Sequence, residues 1–238
     1  MKILVTGSSG HLGEALVRHL ETTKHEVVGT DILASPFTQF VGDLKDATFV
    51  EKCTLGVEAV LHTATLHKPH VVTHSKQVFV DTNISGTLNL LEAATRQQVK
   101  AFVFTSTTST FGDAMQPTRQ KEAVWVTENL TPVPKNIYGV TKVAAEQLCQ
   151  LFHRNHHLPC LILRTSRFFA EVDDNPTLRG AYEDTNIKVN EFTHRRVDIQ
   201  DVVDAHLLAI RKASMIGFGK YIISATTPFE RTDLADLQ

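Results

Sequence analysis

Lys2-Ile3-Leu4-Val5-Thr6-Gly7-Ser8-Ser9-Gly10-His11-Leu12-Gly13 opens the chain as an apolar run that breaks into glycines three apart and then restarts in a helical pattern. Ile3, Leu4 and Val5 read as a short buried strand, and Leu12, Leu16 and Leu20 recur every four residues as one face of a helix. Strand, glycine turn and helix together form the layout of a dinucleotide pyrophosphate site. Gly7 permits the tight turn, Gly10 lets backbone approach phosphate, and Gly13 lets the helix pack on the strand. The helix N-terminus then faces the anion, with His11 and Leu12 in its first turn.

A second strand, Glu26 to Thr30, ends in Asp31, eighteen residues beyond Gly13, where a carboxylate is placed to accept a ribose 2′-OH. It would repel a 2′-phosphate, and Ile32 and Leu33 offer no arginine to receive one. NAD is therefore expected rather than NADP.

Composition bounds the rest. The chain has 238 residues, 42% of them hydrophobic, enough for one large α/β core with a small appendage. A net charge of -2 gives no reason to expect nucleic acid or an anionic membrane as partner. No apolar stretch approaches the roughly twenty residues of a membrane span. Cys53, Cys149 and Cys160 lack metal-ligand spacing and an even count, which suits a reduced, cytoplasmic setting. Because residue 3 already stands in a core strand, no signal peptide is expected.

Strand and helix patterns alternate onward, implying a parallel sheet with helices on both faces, a doubly wound Rossmann-type α/β fold. Strands are expected near Gln39–Val41, over Val57–Leu61, Ala101–Phe104 and Cys160–Leu163, and helices over about Asp81–Gln97 and from Tyr138. After Arg164 the alternation decays. An irregular loop at 171–190, a strand Phe192–Val197, a helix from Gln200 to Lys212 and a strand Lys220–Ser224 are expected. This divides the chain into a dinucleotide-binding core over 1–165 and, over 166–238, a shortened cap with late core elements that is not an independent domain.

Tyr138 and Lys142 are four residues apart, one turn along the same helix face. A phenol titrates near pH 10, so it serves as a base at neutrality only if a cation such as Lys142 stabilises the phenolate. His67, His70 and His74 have helical spacing, but Pro69 interrupts the register and no carboxylate or cysteine completes a ligand set, so no metal is expected.

Taken in order, the segments Gly7–Gly13, Asp31, Asp43-Leu44, Leu61-His62-Thr63-Ala64, Asn83–Thr87, Phe104–Gly112, Tyr138-Gly139-Val140-Thr141-Lys142 and Arg195–His206 resemble the extended short-chain dehydrogenase/reductase superfamily. Within it, the resemblance is to the NAD-dependent epimerase/dehydratase family. It implies adenine contacts from Asp43 and Leu44, and cofactor contacts from His62, Thr63, Ala64 and Thr105. Thr107 falls at the family's catalytic Ser/Thr position, with Ser106 the adjacent competitor. Tyr138 would be the base, Lys142 would also hold the nicotinamide ribose, and Asn83 would close a polar relay behind them. Both His62 and Asn83 have a second reading, as a packed core histidine and as a helix asparagine bonded locally or to solvent.

Ser106, Thr108, Arg167 and Arg196 are expected toward the substrate. With Arg164, Arg179 and Arg195 nearby, guanidinium groups suit an anionic ligand, although surface pairing with Glu171, Asp173, Asp174, Glu183 and Asp184 explains them equally. Leu163 to Glu171 lacks the asparagine and Gly-Pro turn of sugar-nucleotide epimerases, which speaks against a UDP-sugar; Arg167 stands near the asparagine position. The chain stops at Gln238, short of most extended members, so part of the substrate lobe is expected to be missing.

The resemblance implies an epimerase/dehydratase-type oxidoreductase acting on a hydroxyl or carbonyl of a sugar-like or nucleotide-sugar substrate, paired as a homodimer through the helices of Asn83 and Tyr138. An NAD-dependent alcohol dehydrogenase or carbonyl reductase, and a non-catalytic NAD sensor, stand as alternatives.

Overall fold

The computed structural model describes residues 1–116, 123–168 and 196–226. Among the described residues, seven parallel strands form one sheet in the order β3-β2-β1-β4-β5-β6-β7. They are β1 (Lys2–Thr6), β2 (Glu26–Asp31), β3 (Phe40–Val41), β4 (Ala59–His62), β5 (Ala101–Thr107), β6 (Cys160–Thr165) and β7 (Phe218–Ile223). The order reverses between β1 and β4, which opens a crevice beyond the carboxyl ends of these strands, where doubly wound folds bind ligands.

Helices cover both faces, as near-continuous apolar strands require. Leu12, Leu16 and Leu20 of α1 (His11–Glu21) and Val202, Ala209 and Ala213 of α6 (Ile199–Ile216) pack on Ile3, Val5, Leu61, Val103 and Leu163. On the other face, α2 (Ala47–Thr54), α4 (Gly86–Arg96) and α5 (Ile137–His156) bury Val50, Leu90, Leu91, Ala145 and Cys149 against Leu4, Val60, Phe102 and Ile162. Each large side chain so buried contributes roughly 1.5–3 kcal/mol.

Several expected elements differ in their bounds, β6, β7 and α6 among them. The helix expected over Asp81–Gln97 begins earlier, at α3 (Lys76–Val80), capped by Ser75 Oγ accepting from Val78 N–H. It passes through a π turn (Asp81–Ser85) before α4; apolar spacing carries no signal for such a turn. β5 runs on through Thr107, since all three of its terminal hydroxyl residues are buried with internal partners. β4 starts at Ala59, two residues after Val57.

The described part of 166–238 includes α6 and β7, and β7 completes the same sheet. The loop expected at 171–190, the strand expected from Phe192, Arg179 and Arg195, and their acidic neighbours lie outside the described residues. Among the described residues, no helix is long and apolar enough to cross a membrane.

Candidate active site

The turn after β1 is built so that only glycine fits. Gly7 has φ +74°, and a Cβ on Gly13 would stand 1.9 Å from the Gly7 carbonyl oxygen. Gly10 N–H donates to that same carbonyl at 3.0 Å. Side-chain oxygens cap α2 (Asp46), α3 (Ser75), α5 (Asn136) and α6 (Asp198), whereas α1 follows Gly10 with no side-chain cap. Its first-turn N–H groups are thus left for an anion. The cradle and the open helix end fit a dinucleotide pyrophosphate.

Asp31 closes the end of β2. Its carboxylate accepts from Ser9 N–H (3.1 Å) and Leu33 N–H (3.0 Å), and lone pairs remain for a ribose hydroxyl. His11 is exposed and stacks on Phe168, with 6.3 Å between ring centroids, while Leu12 is buried in the core. Asp43 accepts from Lys45 N–H and pairs with Lys45 Nζ at 3.1 Å; Leu44 packs partly buried against the core. Thr63 donates to the Thr6 carbonyl, and Ala64 N–H to Thr6 Oγ1.

His62 takes the second of its two readings, a packed core histidine. It is 1% exposed, with Nδ1 2.8 Å from Thr6 Oγ1 and Nε2 2.9 Å from Thr87 Oγ1. Burial, seconded by the Lys142 cation, pushes its pKa down to about 3. Thr105 is likewise turned inward: its hydroxyl meets His206 Nε2 at 2.7 Å. Burial pushes His206 to about 4.

Tyr138 and Lys142 emerge from the first two turns of α5, both buried on the face toward β5. The Thr107 hydroxyl stands by the Tyr138 phenol and favours its ionised form. Lys142 Nζ donates to the Thr105 carbonyl at 2.6 Å and lies 4.1 Å from the centroid of the Phe104 ring. Burial pushes the phenol up to about 12, with the Thr107 hydroxyl opposing. Burial pushes Lys142 down to about 7 although the Glu146 carboxylate raises it.

Glu146, one further turn along α5, was not anticipated, though it continues the spacing of Tyr138 and Lys142. It is fully buried and accepts from Ser106 Oγ (2.6 Å) and from Arg164 Nε (2.9 Å) and Nη2 (2.7 Å). Ser106, expected toward substrate, is therefore committed to this ion pair. Asn83 lies in the π turn with its side chain fully engaged. Oδ1 accepts from Leu66 N–H and Thr65 Oγ1, and Nδ2 donates to the Leu66 carbonyl and to Thr141 Oγ1. It touches Thr141, between Tyr138 and Lys142, and so ties α5 to the loop after β4.

Arg167 and Arg196 form a parallel backbone bridge beyond β6, and Thr108 opens a short 3-10 turn. His67, His70 and His74 sit on or beside a 3-10 turn, with ring centroids 4.5 Å and 5.2 Å apart in succession. Among the described residues, no three His, Cys, Asp or Glu side chains are grouped to hold a metal.

A glycine cradle at the switch point, with a tyrosine–lysine pair over the neighbouring strand ends, defines a dinucleotide-binding protein of the short-chain dehydrogenase/reductase superfamily. The NAD dependent epimerase/dehydratase family matches residues 3–223; the chain belongs to this family, and its cofactor is NAD.

Among curated relatives, the Bacillus subtilis protein described as uncharacterized UDP-glucose epimerase YtcB is 32% identical over 69% of this chain and 55% of its own. UDP-glucose 4-epimerase of Streptomyces lividans is 28% identical, over 89% of this chain and 72% of that one. The chain thus spans a little over half the length of the first. UDP-glucuronic acid 4-epimerase of Bacillus cereus, solved with UDP-glucuronic acid and NAD, is similar in structure, with TM-score 0.75 and 26% identity over 95% of this chain and 78% of that one. A superfamily protein of Agrobacterium tumefaciens with bound NAD has TM-score 0.76 and 25% identity over 99% and 81%.

Proposed function

We propose that the protein is an epimerase/dehydratase-type oxidoreductase acting on a sugar hydroxyl or carbonyl, with a nucleotide sugar as substrate. The observation that carries this is the burial of Tyr138 and Lys142 one turn apart on α5 beside the carboxyl end of β5, with Thr107 by the phenol. The relatives' stated substrates, UDP-glucose and UDP-glucuronic acid, support the nucleotide-sugar class.

The glycine turn and open end of α1 would hold the pyrophosphate of NAD, Asp31 a ribose hydroxyl, Asp43 and Leu44 the adenine end, and Thr63, Ala64 and Lys142 the remainder. Bound NAD supplies the hydride transfer. Tyr138 gives a proton to the substrate oxygen in the carbonyl-reducing direction and takes it back in the alcohol-oxidising direction. Thr107 orients that oxygen. Arg167 and Arg196, side by side past β6, are assigned to the anionic part of the substrate.

The sequence departure over Leu163–Phe168 favours a second reading, a dehydrogenase or reductase on a non-nucleotide substrate. Turnover of UDP-glucose or UDP-glucuronic acid without net NADH, abolished in Tyr138→Phe, supports the first reading. Net NADH formation with other alcohols and none with UDP-sugars supports the second.

Pairing of two copies through α5 belongs to the same proposal. Val140 and Leu151, three turns apart on one face of α5, are 48% and 38% exposed. Sedimentation at micromolar concentration tests it. The three cysteines, all free and buried, support a cytoplasmic setting.

A further inference from the structure

A run of buried polar side chains links the cofactor turn to the catalytic helix, and each donor along it is determined by chemistry. Thr141 accepts from Asn83 Nδ2 at 3.0 Å and gives its own hydrogen to the Tyr138 carbonyl at 2.9 Å. Thr87 gives its hydrogen to the Asn83 carbonyl at 2.7 Å, so toward His62 Nε2 it can only accept. His62 must therefore carry its proton on Nε2. Its depressed pKa keeps it neutral, which leaves Nδ1 bare and obliges the Thr6 hydroxyl to donate into it. The lone pairs of Thr6 Oγ1 then receive Ala64 N–H at 3.2 Å. Ala64 in turn abuts Gly7, whose added Cβ would stand 2.8 Å from Ala64 N.

We infer that His62 is a positioning residue. Held as its Nε2–H tautomer, it joins the dinucleotide turn to the first turn of α5 through two hydrogen-bond runs that meet at Asn83: Ala64 to Thr6 to His62 to Thr87 to the Asn83 carbonyl, and Asn83 Nδ2 to Thr141 to the Tyr138 carbonyl. The inference rests on the proposed role of Tyr138. Its structural content is that the turn touching the cofactor and the turn presenting the phenol are both anchored on Asn83. Between Ala64 and the Asn83 carbonyl, a reversed link would set two hydrogens or two lone pairs against each other in a buried site.

Long-range proton–nitrogen NMR of the full chain, labelled with nitrogen-15 and carbon-13 and free of ligand, tests this without any turnover. The expected result is a bare Nδ1 and a protonated Nε2 on His62 across neutral and mildly acid pH. Thr87→Val, which keeps the shape and removes the acceptor, should switch His62 to the Nδ1–H form and shift the Tyr138 carbonyl carbon resonance. Thr87→Ser should restore both. An Nδ1–H or doubly protonated His62 in the wild type overturns the inference. So does a Thr87→Val spectrum in which the tautomer switches while the Tyr138 carbonyl stays put. Tyr138→Phe keeps every atom of the chain, so its effect on turnover decides the catalytic reading separately.

Discussion

The ammonium of Lys142 lies 2.6 Å from the carbonyl oxygen of Thr105, out of solvent on the underside of the crevice. A lysine held this way by a neutral dipole keeps its charge weakly, and its pKa is pushed down to about 7 with Glu146 as the main opposing influence. Glu146→Gln should therefore move the Lys142 titration further down. Carbon-13 shifts of the lysine Cε across neutral pH give the measurement, and an unchanged or raised midpoint contradicts the assignment.

Glu146 and Arg164 are a buried pair, 0% and 3% exposed at their side chains, and among the described residues Arg164 Nη1 has no hydrogen-bond partner. Removing the acid alone leaves an uncompensated guanidinium, at a cost of about 3–5 kcal/mol. For a chain of this size that lowers the melting temperature by roughly 6–20 °C. Glu146→Ala should show this by calorimetry, and the double change Glu146→Leu with Arg164→Met should recover most of it.

His62 and His206 set the acid limit of stability. Both are neutral when folded, with pKa values of about 3 and about 4 against 6.5 for the free side chain. The unfolded chain takes up protons as pH falls below 6.5 and the folded chain does not. Stability present above 6.5 is therefore lost as pH falls toward these folded values, at about 1.4 kcal/mol per pH unit for each histidine. Denaturant midpoints from neutral pH to mildly acid pH should fall, and His206→Gln should shallow the slope.

Gly13→Ala drives a Cβ into the Gly7 carbonyl, and neither backbone segment can yield. Soluble protein should be lost or NAD binding abolished. Gly56→Ala meets no atom within 4 Å and carries only the strain of φ +70°. It should cost about 1 kcal/mol and leave NAD affinity intact in calorimetry.

Asp31→Ala should narrow the preference for NAD over NADP by at least tenfold in calorimetric dissociation constants, since the charge that repels a 2′-phosphate is gone. The same change removes acceptors from Ser9 and Leu33 N–H, so NAD itself should bind more weakly. A wild-type preference for NADP contradicts the reading.

Where a residue's role follows from backbone shape or element order, the sequence was sufficient to read it. Gly7, Gly10 and Gly13 declare a turn that no other residue can make, and the alternation of strand and helix implies the parallel sheet and its switch point. Roles that depend on which way a strand residue points were harder to read. Thr105, Ser106 and Thr107 look interchangeable in the chain. In the fold the first meets α6, the second meets Glu146, and only the third reaches Tyr138. Strand alternation separates Ser106 from its neighbours, but it cannot say which face holds a partner. The π turn at Asp81–Ser85 shows no apolar signature, so the turn of Asn83 toward Thr141 was illegible, although its position behind the tyrosine was not.

The open end of α1 makes the ligand a part of the protein's own thermodynamics. Each loop-initiated α-helix described here other than α1 is finished by its own side chain, whereas α1 leaves that task to a diffusible anion. A partner that binds only the folded state at a hundred times its dissociation constant adds about 2.7 kcal/mol. The stability of the folded chain should therefore rise and fall with the concentration of the anion that completes α1.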